Sequence, residues 1–120
     1  MFIDIRTIGF APTDAIRDHV ECRLAAALGW AGDAVGRVTV RLDDVNADRG
    51  GIDKRCRVVA EMRRPQATLT ADVVSEDLYV AVDEAATCIR HAARRRLGRY
   101  LALERKDPQR PGTLVPAGSG

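Results

Sequence analysis

Residues 75–100 read SEDLYVAVDEAATCIRHAARRRLGRY, and no other segment constrains the fold as much. Leu78, Val82, Ala85, Ile89 and Ala92 recur in steps of three and four. That is the spacing of one apolar stripe on a long α-helix. The first half of the segment is acidic. The second half carries Arg90, Arg94, Arg95, Arg96 and Arg99 with no acid among them. Such a rod must lay its apolar back on a second element and turn its cationic end toward something anionic. The first demand bounds the fold, and the second bounds the function.

The rest of the chain supplies the surface for the rod. Residues 2–8 alternate Ile3 and Ile5 with Asp4 and Arg6, the pattern of a half-buried strand. Ala11-Pro12-Thr13 ends it, and Thr13 suits the N-cap of a helix with Ile16, Val20, Leu24, Ala27 and Leu28 inward. Gly29 fits just past the end of that helix, and residues 30–36 read as a loop. Residues 37–42 alternate again, with Val38, Val40 and Leu42 on one face. The polar run DDVNADRGGID follows as a solvated loop holding Asp43, Asp44, Asp48 and Asp53. No Glu ends that series at the offset a calcium loop needs. Residues 54–62 give a third strand, with Cys56, Val58, Ala60 and Met62 in and Arg55, Arg57, Val59 and Glu61 out. Residues 63–66 form a hairpin turn, and residues 67–71 a fourth strand with Ala67, Leu69 and Ala71 in.

The order is βαβββα. It predicts an α+β fold, a four-stranded sheet with two helices packed on one face. The three hairpin-linked strands run antiparallel. The wet sheet face would display Arg37, Arg41, Arg55 and Arg57. Residues 1–104 read as one domain and residues 105–120, rich in Pro and Gly, as a disordered tail.

Several function classes are excluded. No run of about 18 apolar residues exists to span a membrane. The N-terminus lacks the charged and apolar regions of a signal peptide, so we expect a cytoplasmic protein. Cys22, Cys56 and Cys88 are odd in number, more than 30 residues apart and outside any C-x-x-C pair. They read as reduced, mostly buried thiols rather than a disulfide or zinc framework. Neither His19 nor His91 has a nucleophile at motif spacing, and no glycine-rich phosphate loop is present. His19 reads as part of a salt-bridged helix surface with Asp14, Arg17 and Glu21. The chain therefore reads as a non-enzyme without cofactor or metal.

Charge gives the positive signal. Residues 90–110 hold eight basic and two acidic side chains, a net +6, while the remainder is net −4. Arg90, Arg94, Arg95 and Arg99 each lack an acid three or four residues away. On an ideal wheel Arg90 and Arg94 fall on the outer face, Arg95 and Arg99 on one flank, and Arg96 close to the apolar stripe. Completing the helix dipole needs only one or two cations, so an anionic ligand is the better reading. Nucleic acid is the leading large anion. Aromatic residues are 4% of the chain, and the wet strand face reads as having none. Contact would run from arginine to phosphate, with steep salt dependence and little base reading.

The chain resembles the ribosome hibernation-promoting factors and ribosome-associated translation inhibitors, in a short form, from residue 2 to about 99. The likeness rests on the βαβββα order, TDAIRDHV opening the first helix, GGIDKRC before the third strand and EDLYVAVDEAA opening the second helix. The resemblance implies binding to the small ribosomal subunit, in the channel used by messenger RNA and transfer-RNA anticodon ends. It implies contact with ribosomal RNA through basic residues, and a block on initiation in stress or stationary phase. Arg95 and Arg99 match basic positions of relatives, Arg90 matches some short forms, and Lys54 and Arg55 match the DKRC segment. Cys88 and His91 stand where relatives often carry Lys and Arg, with basic charge moved to Arg94 and Arg96. The expected RNA-binding set is Arg90, Arg94, Arg95, Arg99, Lys54, Arg55, Arg57 and Arg41. No membrane or small-molecule substrate is expected, and the protein should be a monomer off the ribosome. Two other readings stay open: a general structured-RNA binder, and a protein-interaction module for an acidic partner.

Overall fold

A computed structural model of the chain describes residues 1–44, 54–63 and 66–105. The predicted acidic loop from residue 45 onward, the two central residues of the hairpin turn and the tail from residue 106 lie outside the described residues.

The element order is β1 (Phe2–Ile8), α1 (Asp14–Leu28), a 3-10 helix (Gly29–Ala34), β2 (Val35–Asp44), β3 (Lys54–Arg63), β4 (Gln66–Ser75) and α2 (Leu78–Arg105). The strands form one sheet in the order β1-β2-β3-β4. β2, β3 and β4 run antiparallel, as expected. β1 pairs parallel with β2, so the sheet is mixed. The α1 crossover permits this, since parallel neighbours need a long connection.

Strand alternation places one set of side chains under the helices. Val38, Val40, Leu42, Cys56, Val58 and Ala60 are fully buried against Ile16, Val20, Leu24 and Leu28 of α1 and Val82, Ala85 and Ile89 of α2. Both helices therefore share one face of the sheet. Each buried Leu or Ile contributes about 2 kcal/mol to that packing. The apolar face of α2 is wider than the stripe read from sequence. Ala81, Ala86 and Ala93 are buried, whereas Ala92 is half-buried. α2 packs on β3, β4 and α1 together, so it buries two flanks rather than one seam.

Both helices start on side-chain caps, the first on Thr13 as expected. Thr13 Oγ1 accepts from the Ile16 N–H at 3.2 Å. Asp77 Oδ1 accepts from the Tyr79 N–H at 2.8 Å, and the Asp77 carbonyl takes the first α2 bond, from Ala81. Gly9, at φ 92°, turns the chain out of β1, and a Cβ there would sit 3.0 Å from the Asp44 carbonyl oxygen.

Four expectations need correction. Residues 29–34 are a 3-10 helix rather than a loop, and β2 begins at Val35. Asp43 and Asp44 belong to β2, and Asp43 is buried. Only Cys56 among the cysteines is buried; Cys22 is exposed on the side of α1 away from the core, and Cys88 is exposed one step from Ile89 on α2. His19 is not open surface: its Nε2 lies 2.7 Å from Asp83 Oδ1 of α2, while Arg23 Nε reaches the same oxygen at 3.0 Å. Tyr79 packs edge-on to the His19 ring at 4.9 Å, so this cluster pins α1 to α2.

Candidate nucleic-acid interface

Strand parity and helix packing divide the eight predicted residues among three places. Arg41, Arg55 and Arg57 project from the open sheet face, opposite in parity to Leu42, Cys56 and Val58. Lys54 shares the parity of Cys56, so it sits on the helix side of the sheet, where its Nζ reaches Asp44 Oδ1 at 3.0 Å. Arg90, Arg94, Arg95 and Arg99 lie on α2. The sheet trio and the helix set are thus on opposite faces of the sheet, not on one continuous surface.

Pairing separates them further. Arg41 Nε is 3.4 Å from the buried Asp43, and Arg55 grips Asp72 with two nitrogens, Nε at 2.8 Å. The hydrogen bonds from Arg55 hold the Asp72 carboxyl below its usual range against the opposing effect of burial. The same bonds raise the Arg55 pKa. Arg57 makes no ion pair among the described residues. Nor do Arg90, Arg94, Arg95 and Arg99, so the uncompensated charge of the eight lies on the helix set and on Arg57.

One helix arginine does not sit as the ideal wheel placed it. Arg90 is half-buried and lines a groove with Arg23, Ala26, Ala27, Ala86 and Thr87. The Arg94 guanidinium carbon lies 5.7 Å from the centre of the Trp30 ring. Arg90 therefore faces α1, which packs along that flank of α2, while Arg94 stays exposed beside the 3-10 helix. Arg95, Arg96 and Arg99 are exposed.

Three contributors escaped the sequence reading. Arg6 stands beside Arg41, and Arg41 beside Arg57, in one row across β1, β2 and β3. Like charges in neighbouring cross-strand positions oppose the fold. With Thr7, Thr39, Ile8 and Val59 they line a depression of about 570 Å³ on the open face. The register that makes this row is not written in any one strand. Phe2 is the second. It lies on the open face, 62% exposed, with Arg37 over its ring at 5.6 Å. The expectation of no aromatic on that face is therefore wrong, and the alternation of Ile3 and Ile5 already implied it. Trp30 is the third: the 3-10 helix, unread in the sequence, carries it to the basic flank of α2.

No cluster of three or more His, Cys, Asp or Glu suited to a metal occurs among the described residues. No helix of the described residues is long and apolar enough to cross a membrane.

The fold is similar to that of the Protein Y N-terminal domain from Thermus thermophilus, at 24% identity and a TM-score of 0.67. That match covers 79% of this chain and 98% of that one. It is also similar to a ribosomal subunit interface protein from Coxiella burnetii, at 22% identity and a TM-score of 0.63, over 85% of this chain and 99% of that one. At these identities the likeness is one of fold. No curated protein is significantly similar to the chain. The family model described as sigma 54 modulation protein / S30EA ribosomal protein matches residues 3–100, and the chain belongs to that family.

Proposed function

We propose that the protein is a ribosome-associated hibernation factor. In this reading it binds small-subunit ribosomal RNA in the channel for messenger and transfer RNA, and blocks initiation in stress or stationary phase. The observation that carries the proposal is the set Arg90, Arg94, Arg95 and Arg99, four cations of one helix without an ion pair among the described residues. Membership of a family described by a ribosomal protein supports the choice of RNA, and so does the name of the Coxiella fold neighbour. Action is by occupancy: arginine forks grip phosphate oxygens, and the folded body fills space that other RNAs need.

Co-sedimentation with small subunits over a salt series tests this. Binding at low salt should fall linearly on a double-logarithmic plot. Replacing Arg90, Arg94 and Arg95 by Glu should abolish it, and neutralising any one should lower the slope by about one. Absence of binding at low salt, or binding indifferent to salt, would sink the proposal.

The Arg6–Arg41–Arg57 row favours a second reading, a shape-reading binder of structured RNA without ribosome preference. Competition between small subunits and an equal mass of unrelated duplex RNA separates the two. Equal competition supports the second.

A further inference from the structure

Trp30 is the single tryptophan of the chain, and its residue is 43% exposed. Its Nε1–H donates to the Ala27 carbonyl at 2.6 Å. That bond fixes the indole against the end of α1 and occupies its one polar group, so what it offers a ligand is π surface. Arg94 lies over the ring at 5.7 Å, the loose end of the cation–π range. Ala27 also lines the groove of about 170 Å³ between α1 and α2. Three small alanine side chains leave the groove unfilled there, and Arg23, Thr87 and Arg90 line it with them. The charge of Arg23 is met by Asp83 at 3.0 Å, whereas Arg90 and Arg94 have no ion pair among the described residues. A fixed aromatic plane with one uncompensated guanidinium over it and a second lining the groove that begins at Ala27 matches the two halves of a nucleotide, a flat base and a charged phosphate.

We propose that Trp30 and Arg94 form a stacking site for one unpaired base of an RNA strand, with the adjoining phosphate held by Arg90 at the groove. This rests on the RNA-binding reading above and adds a base contact to it. The contact is indifferent to which base stacks, since every base has a π face. It distinguishes an unpaired strand from a duplex.

The single tryptophan makes the site directly observable in the full chain. Its fluorescence is titrated with a mixed-sequence single-stranded oligoribonucleotide, the same sequence as a duplex, and inorganic polyphosphate, which has charge but no base. Affinities come from anisotropy of an end-labelled strand, with polyphosphate read by competition. The single strand should quench Trp30 more than the duplex does, and polyphosphate should bind without quenching. Trp30→Leu should weaken single-strand binding roughly 5- to 150-fold and leave polyphosphate unchanged, while Trp30→Phe should restore most of the loss. Circular dichroism checks that the variants fold. Equal quenching by polyphosphate, or equal loss of both ligands in Trp30→Leu, overturns the base contact and leaves the RNA reading standing. If no RNA binds at low salt, both fall.

Discussion

Burial decides the chemistry of single residues here. Cys56 sits under the helices, and loss of water pushes its thiol up to about 12 from 9.0. It should resist iodoacetamide at pH 8 in the native protein, while Cys22 and Cys88 react. Mass spectrometry should count two adducts folded and three in denaturant. The sign of the pH effect follows. The folded pKa is raised, so the stabilising difference is complete below pH 9.0 and is lost as pH rises toward about 12. A Cys56→Ala variant, once corrected for its cavity, should lose that alkaline slope in denaturant titrations. Strand alternation already placed Cys56 inward, and Cys22, two positions from both Val20 and Leu24, was legible as outward; only Cys88, one step from Ile89, was ambiguous. The His19–Asp83 contact was equally unreadable, as it joins residues 64 apart. The uncompensated arginines were legible, since acids at helical spacing are absent from the sequence itself.

At the scale of elements, alternation and caps carried most of the information. Val38, Val40 and Leu42 announce β2 without ambiguity, and β1 matches its expected span of residues 2–8. Ends were blurred, because β2 and β4 extend into residues whose side chains do not alternate strongly. The 3-10 helix was missed because six residues with two glycines show no helical period. A cap just before the apolar run was readable to within Ser75 or Asp77, and the structure uses Asp77. Its removal gives a direct measure of how firmly α2 is begun. Asp77→Ala should destabilise the protein by about 1 kcal/mol in urea unfolding. A loss near zero would mean that packing of Val82, Ala85 and Ile89 holds the first turn without the cap.

For the whole molecule, the fold class followed from element order, but the arrangement of charge did not. Arg41, Arg55 and Arg57 were read into one RNA-binding set with the α2 arginines, and the sheet itself stands between the two groups. The parallel pairing of β1 with β2 was also beyond the sequence, since order alone leaves the first strand free to lie at either edge. That seam has a consequence for how the protein assembles and comes apart. β3 and β4 close on neighbours, with Arg63 opposite Gln66, whereas Ile5 must find Val40, 35 positions further along the chain. Local pairings form before distant ones, so the β2–β3–β4 meander should nucleate and β1 should dock last. In reverse, β1 should open first as its own unit. Hydrogen exchange followed by mass spectrometry in mild denaturant should show peptides of residues 2–8 losing protection while residues 54–63 keep theirs. β1, synthesised before the meander it joins, would then be the last strand to find its place.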